Sequence, residues 1–447
     1  MTEKIPFQRV MKKYHVAALA IGGTVSSVYF LGNGYLLKEI GPFAFLAFFF
    51  GGSISYLTMS CFAELAANEP LTHHSFINFA KQYISPTLAC GLGWAYWIDW
   101  VIIIAAECLA GGILMHSFLP QLSAYFWAVL FGLIVTYVNV RHVKIFTFTA
   151  FWLTFTHIAL FVSFSVLALL IFFGWIGSGE FIGTRYLLQN GMFPNGIPVF
   201  FLTILVLLLN FQGTELIGLS ASEAFEPGEK LPKTMKEISF IISALYIIPI
   251  FLLALIFPSN EANLDGSVFA SALERYGLHS FAKIFTFLIV AGSLSCANSG
   301  LFAAVRAVHA LSTMQMAPRF LKELSQHGTP RRATWLTFAG LWGMLFLIHH
   351  FPSHEIYIML LAFSGFAGSI VWISICLSQL IARKNLREPI QFKMPGYPYL
   401  THFAIWAQVA CIVAALWNEH LRPSFVFGFF VFLLPMVLYQ VKVRYGR

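Results

Sequence analysis

Apolar residues along this chain come in long continuous runs separated by short polar segments, not in alternation. The runs lie at 15–37, 41–66, 87–118, 122–140, 143–174, 196–221, 237–257, 280–314, 333–351, 355–382, 399–418 and 422–440. Each is near or above the roughly 20 residues that a helix needs to cross a hydrocarbon core. Only helices and closed barrels satisfy every backbone group in lipid. A barrel strand would alternate apolar and polar positions, and these runs do not. The pattern predicts an all-α polytopic membrane protein of 12 transmembrane helices, folded as one bundle over 1–447.

Two runs contain breaks. The first holds AIGGTVSSVYFLGNG, Ala20 to Gly34, and the sixth holds LNFQGTELIG, Leu209 to Gly218. Each stands at the start of a block of five runs. Interrupted helices at matching positions of two halves mark the binding site of transporters built from inverted repeats. The expected division is a first repeat at 15–174, a second at 196–382, and two further helices at 399–440. An interrupted helix bares N–H and C=O groups that lipid does not tolerate but a polar solute satisfies. Half-helix N-termini attract a carboxylate and half-helix C-termini an ammonium, so a zwitterion suits the pair. Gly213 lets the backbone open, although close helix packing would also favour a glycine there. Glu215 faces the cavity or pins the unwound segment, since a carboxylate inside a membrane run defaults to a functional role.

Composition agrees with the pattern. The chain is 58% hydrophobic and 10% charged, against roughly 25% charged in soluble domains. The net charge of +8 follows from where the basic residues fall rather than from nucleic-acid binding. With the N-terminus inside, 21 Lys and Arg lie in inner segments and 4 in outer ones. The positive-inside rule then places both termini in the cytoplasm of a cell (plasma) membrane protein. The basic start is the flank of the first run, with no small-residue cleavage site for a leader. Cys61, Cys90, Cys108, Cys296, Cys376 and Cys411 form no CxxC pair and read as small core residues. His73 and His74 have no carboxylate at ligand spacing, so no metal site is expected. Glu223, Glu226 and Glu229 read as a solvated loop. No nucleophile–base pair, metal cluster or phosphate loop appears, so neither an enzyme nor an ATP-driven pump is expected. No cofactor is implied.

Five stretches carry a resemblance. FQGTELIGLSASEAFEP (Phe211 to Pro227) resembles the helix-6 signature of amino-acid permeases of the amino acid–polyamine–organocation superfamily, in its bacterial and fungal amino-acid transporter branch. GWAYWIDWVIIIAAECLAGG (Gly93 to Gly112) resembles its helix 3. LSCANSGLFAAVRAVHALSTMQMAPRFL (Leu294 to Leu321) resembles its helix 8 and the loop after it. FSGFAGSIVWISICLSQL (Phe363 to Leu380) and FKMPGYPY (Phe392 to Tyr399) resemble helix 10 and the following loop. The resemblance covers nearly the whole chain in order. It implies a LeuT-like fold of five-plus-five inverted helices with two more, and amino-acid uptake driven by protons. It places the substrate carboxylate at Ser26, Ser27 and Val28, and the ammonium at carbonyls near Thr24, Leu209 and Gln212. Phe211, Gly213 and Thr214 complete the binding segment. His157 falls where the family has a lysine near a vacant sodium site; a histidine there can carry the coupling proton, or simply pack. Glu107 matches a family glutamate and joins His157 and Glu215 as a coupling or gating candidate.

The chain departs from the family in two places. Ser26 and Val28 replace glycines that permit close backbone approach, and Val28 is stiff. In the fifth run Phe148 and Ala150 stand where acids are usual. Asp99 replaces an asparagine and reads as structural, near one mouth of the bundle. Asn298, Ser295 and Ser299 line the pocket or bond between helices, and Arg306 reads as a gate or structural residue. With no acid seen beyond Glu215, a neutral, aliphatic amino acid is the expected substrate, carried with a proton through the lipid bilayer. An amino-acid or polyamine exchanger and a permease-like sensor are the alternatives. The oligomeric state is left open.

Overall fold

The computed structural model describes residues 20–68, 75–141, 143–177, 179–189, 191–220, 230–325, 329–351, 353–385, 392–419 and 421–445. The first helical piece, residues 20–24, ends at a bend over 25–26; a π-helical turn, Val28–Gly32, then runs into α1, Asn33–Ile40. The longer helices that follow are α2 (Ala44–Asn68), α3 (Pro86–Phe118), α4 (Ala124–Arg141), α5 (Val143–Phe172) and α6 (Ile197–Leu208). After them come α7 (Leu216–Ser220), α8 (Lys230–Ile256), α9 (Val268–Arg275), α10 (His279–Thr313) and α11 (Arg331–Ile348). The chain closes with α12 (Ser353–Asn385), α13 (Tyr399–Leu416) and α14 (Arg422–Tyr445). Among the described residues, nine helices are long and apolar enough to cross a membrane, and Ala124–Val140 is a shorter apolar helix.

The helices keep their polar groups internal, as lipid requires. Ser85 caps α3 by accepting the Leu88 N–H at 3.1 Å, and Pro86 fills the first turn, where no donor is needed. Ser60, Thr136, Ser165 and Ser369 each turn their hydroxyl back to the carbonyl four residues earlier. All six cysteines are free and buried.

The core of the bundle is α3, buried along most of its length, with α10 packed most extensively against it and α12 also packed on it. The outward faces are apolar. Phe155, Val162, Val166 and Leu169 on α5 and Phe430, Leu433, Val437 and Val441 on α14 are all exposed. That is the surface a helix presents to hydrocarbon rather than to water.

Candidate functional site

Both expected breaks are present, and they touch. After Leu208 the backbone tightens into a 3-10 turn, Leu209–Phe211, becomes extended at Gln212, and turns through Gly213 at φ +102° before α7 begins. A Cβ on Gly213 would sit 2.8 Å from the carbonyl carbon and oxygen of Gly23 and from Thr24 Oγ1. The sixth-run break therefore lies directly on the end of the first helical piece. Only a glycine allows both the backbone angle and the approach.

Glu215 pins its own turn. Both its oxygens accept the Gly213 N–H at 3.1 Å; Oε1 also accepts from Tyr96 Oη at 3.0 Å, and Oε2 from Trp372 Nε1 at 3.3 Å. The carboxylate thus ties the break to α3 and α12. Thr214 Oγ1 donates to the Phe211 carbonyl at 3.1 Å, and the Gln212 N–H to the Leu209 carbonyl at 3.1 Å. Gln212 Nε2 reaches the Ser364 carbonyl on α12 at 2.8 Å. Phe211 packs edge-on against Tyr246, with ring centroids 5.3 Å apart.

At the first break the donors expected to meet a substrate carboxylate are engaged by the protein itself. The Ser27 N–H and Oγ–H both donate to Glu107 Oε2, at 3.1 and 2.6 Å, and the Val28 N–H donates to Ser26 Oγ at 3.1 Å. Glu107 Oε1 accepts nothing. Of the expected ammonium acceptors, the Thr24 carbonyl takes a hydrogen bond from Tyr246 Oη at 2.8 Å. Tyr246 stacks on Tyr29 at 4.5 Å, and Tyr29 also meets Phe48, Phe161 and Phe269. This aromatic group packs around the π-helical turn that follows the first break.

His157 is buried, and its ring lies against α10 where a Cβ on Gly292 would collide with Nε2. One turn further along α10, the Cys296 thiol lies 3.4 Å from the Gly23 carbonyl. His157 is thus brought to the helix that lines the first break, though not into contact with Glu215. Ser295 and Ser299 are buried on the same helix with hydroxyls that bond to no described residue, whereas Asn298 bonds Asn139 of α4 at 2.6 Å. Arg306 stacks over Phe302, 4.2 Å from its centroid. His73, His74, Glu223, Glu226, Glu229 and the side chains of Phe148 and Ala150 lie outside the described residues.

Two placements go beyond the sequence reading. Asp99 is not near a mouth of the bundle: it is 1% exposed, beside Ser364 of α12 and within electrostatic reach of Glu215. Its position on α3, between Tyr96 and Glu107, draws it into the core. Glu64 on α2, which sequence reasoning passed over, is also buried. It accepts from Gln379 Nε2 at 2.8 Å, from Arg383 Nη1 at 3.1 Å and from the Met394 N–H. The signal was an acid inside an apolar run, with an arginine closing the tenth run.

Comparison with known proteins agrees with this geometry. The family model described as amino acid permease matches residues 15–445. The amino-acid permease RocE of Bacillus subtilis (strain 168) is 30% identical, covering 98% of this chain and 95% of that protein. A putative histidine permease of the same organism is 30% identical over 97% of this chain and 94% of its own length. The lysine-specific permease LysP of Escherichia coli (strain K12) is 27% identical over 94% of this chain and 88% of that protein. A crystal structure of the Eremococcus coleocola manganese transporter superposes with a TM-score of 0.58 at 11% identity, covering 97% of this chain and 94% of that one; this likeness concerns the fold alone. The chain belongs to the amino acid permease family: it is a multi-pass membrane transporter, not an enzyme.

Proposed function

We propose that the protein imports an amino acid across the cell membrane by alternating access, in symport with a proton. The observation that carries the reading is the contact of the two helix breaks at Gly23 and Gly213. Broken helices that meet inside a bundle bare backbone groups that a zwitterion can satisfy. On this reading the chain is a five-plus-five repeat, and the distribution of Lys and Arg supports cytoplasmic termini. The gradient supplies the energy, and no cofactor enters.

Glu107 supplies a physical route to coupling. Its carboxylate holds the Ser27 N–H that a substrate carboxylate needs. Two carboxylates at one helix N-terminus repel each other unless one is protonated. Substrate binding and proton binding are therefore linked: a proton on Glu107 loosens its hold on Ser27 and removes the repulsion. In this reading His157 of α5, which packs against Gly292 of α10 one turn from Cys296, passes that proton.

The expectation of a neutral, aliphatic side chain stood on Glu215 being the sole acid of the pocket. The burial of Asp99 beside it removes that premise.

Glu107→Gln tests the mechanism in proteoliposomes. The variant keeps exchange of internal for external substrate but loses accumulation driven by a proton gradient. Retained gradient-driven accumulation would remove Glu107 from coupling, and the same readout on His157→Ala decides the relay.

A further inference from the structure

The buried charges of this bundle are one-sided. Among the described residues, Glu64, Asp99, Glu107 and Glu215 are buried and no lysine or arginine is. Glu64 has Arg383 at its side, 17% exposed at the edge of the core. Glu107 is held by Ser27, and both oxygens of Glu215 are filled by Gly213, Tyr96 and Trp372. Asp99 and Glu107 each keep one oxygen, Oδ1 and Oε1, that accepts no hydrogen bond, but only Glu107 is held by the first break.

The groups around Asp99 are also short of donors. Ser364 of α12 lies beside it, with its hydroxyl within reach of the Asp99 carboxyl, and gives its carbonyl to Gln212 Nε2, while Gln212 Oε1 has no partner. All three residues are more than nine-tenths buried. Gln212 Oε1 can only accept, an ionised Asp99 carboxylate likewise, and a hydroxyl can turn to do so. A neutral aliphatic side chain entering here would leave them unpaired, at the full cost of their desolvation. An acidic one would be repelled. An ammonium or guanidinium brings only donors and the opposite charge.

The spacing fits the same class of ligand. Asp99 and Glu107 lie eight residues apart on α3, a rise of about 12 Å. Glu107 marks Ser27 of the first break, where the substrate's carboxylate belongs. An amino acid with a long side chain charged at its tip reaches from there toward Asp99, whereas a short one does not.

We infer that the substrate is an amino acid with a positively charged side chain, and that Asp99, together with Gln212 and Ser364, is the subsite that receives the charge. The inference rests on the transport reading for the location of the α-groups, but its test reads binding separately from transport.

The experiment uses the full chain purified in detergent, with lysine, arginine and leucine as probes. Binding is followed by ligand-dependent thermal stabilisation, and uptake by the same protein in liposomes. The unaltered protein binds lysine or arginine in preference to leucine. Asp99→Asn lowers that preference by at least about tenfold, the loss of one charge-assisted contact, while the melting temperature without ligand stays high. Should Asp99→Asn not fold, Asp99→Glu, which keeps the charge, retains the preference for a cation over leucine. Selective binding of a cationic amino acid that is never transported would uphold the subsite and overturn the import reading. Leucine binding as well as the cations do, no binding of any probe, or an undiminished preference in folded Asp99→Asn would overturn the subsite.

Discussion

Gly213→Ala is the substitution whose cost the geometry defines best. At φ +102° a side chain is strained, which costs about 1–2 kcal/mol for an L-residue. The added methyl would stand 2.8 Å from the carbonyl group of Gly23, where ordinary contact begins at 3.4 Å. The neighbour is backbone at the end of a helix, so it yields only if the whole first break moves away. Overpacking of this kind costs about 1–3 kcal/mol. The alanine regains about 0.4–1 kcal/mol by restricting the unfolded chain. The net loss is about 1–5 kcal/mol. It falls on the surface where the two breaks meet, so transport suffers more than stability alone explains. The assay is paired: melting of the purified protein in detergent, and initial uptake in liposomes normalised to folded protein. Gly343→Ala is the control, because nothing lies within 4 Å of a Cβ there. Gly213→Ala should melt lower and transport at least about tenfold more slowly. If it melts and transports like the unaltered protein while the control is also silent, the contact between the breaks does not have the role assigned to it.

Other substitutions test separate parts of the structure. Arg383→Ala strands Glu64 with two neutral donors, Gln379 and the Met394 N–H. It should cost about 3 kcal/mol in a denaturation experiment, and Glu64→Gln made with it should recover part of the loss. Gly292→Ala forces its new methyl into the His157 ring, so it should lower the melting temperature, and adding His157→Ala should raise it again. Ser27→Ala removes the 2.6 Å bond to Glu107 and should lower stability by about 1–3 kcal/mol, read by thermal melting.

What the sequence made legible was what interrupts a pattern. Gly213, Glu215 and the serines at 26 and 27 stand out because an apolar run has no ordinary use for them, and the structure breaks both helices there. The site partners were not legible, since they join distant segments. Ser27 meets Glu107 eighty residues away, and Glu64 meets Arg383 at a separation of 319. Neither follows from any local spacing. Asp99 was read as lying near a mouth because its depth depends on the rotation of α3 against α12, which packing decides. The self-engaged donors of Ser27 and Val28 depend on side-chain placement that a string of residues does not encode.

The most direct measurement is uptake of radiolabelled amino acids into liposomes holding the purified protein, with and without an inward proton gradient. Proton-coupled import predicts that one substrate accumulates above its external concentration only while the gradient lasts. Saturable binding with no substrate crossing under any gradient would contradict it, and would assign the protein to sensing rather than carriage.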